Sequence, residues 1–187
     1  MKIGVDIDGV ILDLGSKVCE IFNSLYDTNY TKNDVKRWEF FRDWEVPEEI
    51  IYDIFDKAYQ QSSTIALIDN DAPHILEKLH KVHDLDLVTA RNKKFESHLV
   101  DRLNFLEIRK GVQYGDLIHV EPKPYDAKIA LNYEILIDDN PNLIKPIIIF
   151  PKKKLLLFEQ PWNRNLEEKE NVKKVKNWKQ IEGLLIN

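Results

Sequence analysis

Residues 1–14, MKIGVDIDGVILDL, decide how the rest of the chain is read. From Lys2 to Ile7 apolar side chains alternate, with Ile3, Val5 and Ile7 on one side, the pattern of a short buried strand. Asp6 and Asp8 stand two apart at its end, so an extended backbone points both carboxylates the same way while Ile7 faces inward. Gly9 then frees the backbone to turn. Two carboxylates beside an apolar strand are costly to bury unless a cation or a proton compensates them. A strand that simply exits into a polar loop would also fit these residues, so the remainder of the chain has to decide.

Helical spacing follows from Ile11 to Asp27, with Leu14, Val18, Ile21, Phe22 and Leu25 on one face. After a turn-rich break at 29–34 comes an aromatic cluster, Trp38, Phe40, Phe41 and Trp44. Pro47, followed by Glu48 and Glu49, opens a helix that runs to about Gln61. Residues 15–71 thus offer helices and no strand, a small helical unit inserted after the first strand. From Ala72 the rhythm changes. A helix with Ile75, Leu76, Leu79 and Val82 facing inward leads to a buried strand, Leu85 to Ala90. A helix over 93–105, a strand at 117–120, a short helix at 126–131 and strands at 134–137 and 155–158 follow. Residues 146–150 read equally as strand or helix end, and Asn177 caps a final helix reaching Leu185. This alternation predicts an α/β fold, a parallel sheet with helices on both faces. Residues 1–14 and 72–187 form its core, and 15–71 the insert. There is no internal repeat and no low-complexity linker.

Bulk properties exclude several classes. With 187 residues, 43% hydrophobic and 32% charged, this is the composition of a soluble globular domain large enough for a real core. No apolar run is long enough to span a bilayer, and no signal-peptide pattern opens the chain, so no membrane partner is expected. The single cysteine, Cys19, excludes an internal disulfide, fits a reducing, cytoplasmic setting and reads as a buried structural thiol. Residues 151–187 carry nine Lys or Arg against five Glu, so the net −5 leaves −9 on residues 1–150. Such an acidic surface argues against polymeric nucleic acid. Nothing in the sequence decides for or against a homo-oligomer.

In an open parallel sheet, ligands gather beyond the carboxyl ends of the strands, near the point where strand order reverses. Asp6, Asp8, Thr89, Asp138 and Asp139 all fall at or just after predicted strand ends. Four clustered carboxylates repel one another unless a cation sits among them, and an all-oxygen set suits Mg²⁺. His80 and His83 share a helix but have no third partner for zinc. Carboxylates, Mg²⁺, a hydroxyl and a lysine are the inventory of phosphoryl transfer. Asp6 can attack phosphorus, and Asp8 can give and take the proton. Thr89 and neighbouring backbone N–H groups can hold phosphate oxygens, and Lys128 can offset the charge that spreads in the transition state. Each residue has a plainer alternative: Thr89 as a strand end, Lys128 as a solvated helix residue, and Asp138-Asp139-Asn140-Pro141 as a turn.

Together and in this order, DIDGV at 6–10, LVTAR at 87–91, Lys128 and LIDDNP at 136–141 resemble the four motifs of the haloacid dehalogenase superfamily of phosphatases. Ten residues separate Lys128 from Asp138, as in the 5′(3′)-deoxyribonucleotidase branch, whereas the competing Lys123 lies between two prolines. FEQPWNR at 158–164 and VKNWKQI at 175–181 also resemble segments of that branch. The resemblance implies a Rossmann-like core, Mg²⁺ dependence and a helical cap at 15–71. By carry-over, Asp6 is nucleophile and metal ligand, and Asp8 is acid/base with its carbonyl on the metal. Asp138 is the further ligand, Asp139 acts through water, and Thr89, Ala90 and Lys128 hold the phosphate. Thr-Ala-Arg at 89–91 is closer to bacterial members than to animal ones.

The implied substrate is a small phosphomonoester, a nucleoside monophosphate foremost, with sugar phosphates as the alternative. A phosphoacceptor signalling domain uses similar residues but carries its acceptor on a later strand. Trp38, Phe40, Phe41 and Trp44 are candidates to stack on a base, a contact of about 1–3 kcal/mol; equally, a unit this small needs large rings merely to hold itself together. Arg91 and Arg42 are either phosphate or base contacts, or surface residues.

Overall fold

The computed structural model describes residues 1–186. Six strands form one sheet: β1 (Lys2–Val5), β2 (Asp84–Thr89), β3 (Leu117–His119), β4 (Ile135–Asp138), β5 (Lys154–Phe158) and β6 (Val172–Val175). Their order is β3-β2-β1-β4-β5-β6, and every pairing is parallel. The chain moves outward from β1 to β3, then crosses to the other side of β1 for β4. The reversal lies between β1 and β4, the place where such sheets bind ligands. Asp6 and Asp138 flank it, and the backbone N–H of Asp6 donates to Ile137 O at 2.8 Å.

Alternation along the strands builds two apolar layers. Ile3, Val5, Leu85, Leu87, Ile137, Leu156 and Phe158 face one side, which is covered by α3 (Ala72–Val82), α4 (Glu96–Phe105) and α6 (Trp178–Leu185). Val88, Leu136, Leu155, Leu157 and Val172 face the other, under α5 (Ile144–Ile147) and the 3₁₀ turns around it. On that second face the Tyr133 ring lies directly on β1: a Cβ at Gly4 would sit 2.8 Å from it.

The helical insert follows β1 as expected. It contains α1 (Leu14–Tyr26) and α2 (Glu48–Gln60), which pack on each other, with 3₁₀ turns at 32–34, 40–42 and 62–64. Its interior is aromatic. Trp44 stacks on Tyr30 with 4.4 Å between ring centroids and meets Phe22 and Phe40 at 4.7 Å. Cys19 is buried there as a free thiol, and burial pushes its pKa up to about 12, which leaves it unreactive.

Several expectations need correction. Helical spacing from Ile11 is a tight turn: Ile11 and Leu12 both donate their N–H to Ile7 O, and α1 starts only at Leu14, after the Asp13 cap. The helix expected at 126–131 is a 3₁₀ turn over Ala127–Ala130, and residues 146–150 resolve as the end of α5 and the turn after it. Leu25 and Val82, read as inward-facing, are 49% and 58% exposed because each sits in the last turn of its helix, past the surface it packs on. The sixth strand was not expected. Asn177 does cap α6, its Oδ1 accepting the N–H of Gln180 at 3.0 Å.

Trp178 is fully buried at the start of α6, and its indole N–H donates to Val10 O at 3.2 Å. Replacing it leaves a large cavity beneath the first loop, so Trp178→Ala should lower unfolding free energy by about 3–5 kcal/mol, read from urea denaturation midpoints.

Candidate active site

The loop after β1 is shaped by Gly9, at φ +84°, whose N–H donates to Leu12 O at 2.9 Å. A Cβ at Gly9 would lie 2.1 Å from Asp139 Oδ2, so the loop can approach the end of β4 this closely only with glycine there. The approach brings carboxylate oxygens of Asp6, Asp138 and Asp139 within 4.8 Å of one another, all three side chains buried. Lys128 lies between two of them, its Nζ 2.8 Å from Asp6 Oδ1 and 2.7 Å from Asp138 Oδ2. Asp138 Oδ1 accepts the N–H of Asn140 at 2.9 Å. Asp139 Oδ2 accepts the indole N–H of Trp162 at 3.0 Å, while Asp139 Oδ1 is buried with no partner.

One ammonium among three buried carboxylates leaves an uncompensated negative charge, and the titration behaviour follows. Burial raises the Asp6 pKa from 3.8 to about 7; Lys128 pulls it down, and Asp138 and Asp8 push it up. Asp139 is likewise held well above the ordinary carboxylate range by burial and by Asp6 and Asp138. Burial alone would lower the Lys128 pKa, but Asp138 and Asp6 outweigh it and keep the ammonium charged. The donor set is all oxygen, and one carboxylate oxygen of Asp139 is buried without a partner. A hard divalent cation with a few protein ligands fits this arrangement.

Asp8 turns away from the cluster. Both its oxygens accept from Arg91, Oδ2 from Nε and Oδ1 from Nη2, each at 2.6 Å. Thr89 is buried at the end of β2, where its Oγ1 accepts the N–H of Arg91 at 3.1 Å, and Ala90, Arg91 and Asn92 form the cavity wall in front of it. Of the two candidate lysines, Lys128 reaches the acids, whereas Lys123 is exposed and pairs with Glu48 at 2.9 Å. His80 and His83 do not join the acid cluster.

Above these groups lies a cavity of about 420 Å³. Its upper wall comes from the insert: Trp38, Phe40 and Phe41, together with Ile51, Tyr52, Phe55 and Tyr59 of α2. Trp38 meets Tyr125 of the core edge-on at 6.2 Å. Trp44, grouped with these rings in the sequence, lines the insert's interior instead of the cavity. Arg42 is largely exposed and pairs with Glu39.

A family model described as 5′ nucleotidase, deoxy (pyrimidine), cytosolic type C protein matches residues 1–187. The chain belongs to this family. It is therefore an enzyme, a phosphomonoester hydrolase of the 5′-nucleotidase type. A nucleotidase of Clostridium acetobutylicum is 23% identical over 188 residues, covering 99% of this chain and 93% of the relative. A putative haloacid dehalogenase hydrolase of Bacillus subtilis, YfnB, solved bound to magnesium, superposes with a TM-score of 0.61 at 13% identity, covering 100% and 98%. Protein Tyrosine Kinase A of Mycobacterium tuberculosis gives 0.67 at 12% identity, over 100% and 98%. At these identities the two structures are similar in fold alone. No helix among the described residues is long and apolar enough to cross a membrane.

Sequence reasoning missed the residues that brace this nucleotidase site from behind. Asn163 Nδ2 donates to Asp139 O and Phe158 O, both at 2.8 Å, and Gln160 Nε2 donates to Gly9 O at 2.8 Å. The signal was present in the Gln-Pro-Trp-Asn run at 160–163, but no spacing rule links Gln160 to Gly9, 151 residues earlier, or Asn163 to Asp139, 24 residues earlier.

A carboxyl whose folded pKa exceeds its unfolded value binds more protons in the folded state between the two values, so stability falls as pH rises through that interval. For Asp6 the interval runs from 3.8 to about 7. In EDTA, the thermal midpoint should fall as pH is raised from about 4 to about 7, and Asp6→Asn should make the decline shallower.

Proposed function

We propose that the enzyme is a Mg²⁺-dependent phosphatase of nucleoside and deoxynucleoside monophosphates, working in the cytosol through an aspartyl-phosphate. The observation that carries this reading is the buried Asp6–Lys128–Asp138 bridge beside the orphaned Asp139 oxygen. Residues 1–14 and 72–187 form the catalytic core in this reading, and residues 15–71 the cap that selects the substrate. Asp6, Asp138 and the carbonyl of Asp8 would hold Mg²⁺, with Asp139 supporting it through water. Once bound, the ion neutralises phosphate oxygens and orients the ester for in-line displacement.

The protein's own groups supply the rest. A carboxylate oxygen of Asp6 attacks phosphorus as the ester P–O bond breaks, and Asp8 gives its proton to the leaving oxygen. Lys128 favours the ionised, nucleophilic form of Asp6 and faces the charge that develops on the phosphoryl oxygens. The backbone N–H of Ala90, at the end of β2 with Thr89, is suited to cradle those oxygens. Asp8, now a carboxylate, then takes a proton from water as that water attacks the phosphorus, releasing phosphate and restoring Asp6. The apolar upper wall suits a flat base, with Trp38, Phe40 and Phe41 supplied by the cap and Tyr125 by the core.

Phosphate release from a panel of ribo- and deoxynucleoside monophosphates and sugar phosphates, with Mg²⁺ and with EDTA, tests the reading. Release should favour nucleotides, stop with EDTA and vanish in Asp6→Asn; turnover surviving in that variant would sink the mechanism. Trp38→Ala should raise the nucleotide KM roughly tenfold, the loss of one stacking partner, with kcat little changed. Equal rates on sugar phosphates would instead return the aromatic wall to packing alone.

A further inference from the structure

Arg91 is a fully buried arginine, 1% exposed, fixed by two different parts of the chain. The core fixes its backbone: its N–H donates to Thr89 Oγ1, and its carbonyl accepts from His119 Nδ1 at 2.9 Å. His119 Nε2 is in turn 3.0 Å from Glu96 Oε2. The insert fixes its side chain. Nη1 donates to Ser62 Oγ at 2.8 Å, and the guanidinium lies 4.7 Å from the centre of the Tyr59 ring. The remaining edge of the guanidinium grips both oxygens of Asp8.

A guanidinium fork takes one lone pair from each carboxylate oxygen and fixes the plane of the carboxyl. Each Asp8 oxygen keeps its outer lone pair. A proton can therefore still reside on Asp8, but only on a side that the fork dictates. Three of the five N–H donors of Arg91 are committed to Asp8 and Ser62, which fixes the plane of the guanidinium.

We propose that Arg91 is a positioning residue: it aims the proton of Asp8 at the leaving oxygen, and Ser62 and Tyr59 make that aim depend on the seating of the helical insert. The proposal rests on the reading of Asp8 as acid and base. When the insert sits as it does here, the guanidinium plane is fixed and the carboxyl is aligned. If the insert shifts, Ser62 and Tyr59 move with it and the fork tilts.

Leaving-group dependence tests this. A nucleoside 5′-monophosphate leaves as an alkoxide that must be protonated, whereas p-nitrophenyl phosphate releases a phenolate that needs no proton. First-turnover rates for both esters are measured with the Mg²⁺-loaded enzyme, alongside thermal melting. In Arg91→Lys, which keeps the charge but loses the fork, the nucleotide rate should fall about 10²-fold, the scale of general-acid catalysis. Nitrophenolate release and the nucleotide KM should change little. Ser62→Ala should show the same selectivity at about fivefold, the scale of one hydrogen bond. Equal losses on both esters, or no loss, in variants that melt like the parent would overturn the proposal. Should Arg91→Lys fail to fold, Ser62→Ala decides alone. Asp8→Asn separates the two claims. Nucleotide turnover at the parental rate in that variant defeats the functional reading itself; an inactive Asp8→Asn beside unselective Arg91 and Ser62 variants defeats the positioning role only.

Discussion

Three carboxylates and a single ammonium share the buried crevice between β1 and β4. Left to themselves, Asp6, Asp138 and Asp139 would separate or draw water inward, because like charges in a poorly solvated space repel strongly. The fold denies them both escapes. Parallel pairing of β1 with β4 fixes Asp6 and Asp138 at adjacent strand ends, and Gly9 lets the loop close onto Asp139. Asn163 and Gln160 hold that loop and the β4 end from behind. Burial first, and the neighbouring carboxylates after it, raise the pKa of Asp6 and Asp139 above that of an ordinary carboxyl. The rest of the fold holds the acids in a geometry that a divalent cation would relieve.

Work is divided between the two parts of the chain. Strand ends supply the polar floor, where positions must hold to a fraction of an ångström, and a sheet stiffened by apolar layers on both faces suits that task. Helices of the insert supply most of the apolar wall, where ring size and spacing matter more than exact placement. Arg91 bridges these parts, with its backbone in the core and its guanidinium among insert residues. The insert walls the cavity and also reaches Asp8 indirectly, through Ser62 and Tyr59 on the Arg91 guanidinium.

What could be read from the sequence follows from the range of each interaction. Strand–helix alternation is local, so the parallel sheet and the order of the acids along it were legible. Lys128 was separable from Lys123 by spacing and by the prolines beside the latter. β6 was not, because in Val172–Val175 only the two valines are buried and the residues between them are lysines, as befits an edge strand. The tight turn at 9–12 imitated a helix because its apolar residues are all buried, and periodicity reports burial, not hydrogen bonding. Rings were visible as a cluster, but which of them lines the cavity depends on partners elsewhere. Trp44 meets Tyr30 and Phe22 inside the insert, whereas Trp38 meets Tyr125 across the junction. Arg91 was noticed as a charge, yet its engagement with Asp8, 83 residues away, leaves no local trace.

The two ends of the chain meet at the first loop. Gln160 reaches back 151 residues to Gly9, and Trp178 reaches back 168 residues to Val10. Contacts of such separation form late, because the entropy of closing so long a loop must be overcome before they contribute anything. In synthesis the Asp6–Asp8 segment precedes the residues that lock its loop, since Gln160 lies 151 residues after Gly9 and Trp178 lies 168 after Val10. The nascent chain therefore carries Asp6 and Asp8 without the geometry that makes them a site until Gln160 and Trp178 have been made.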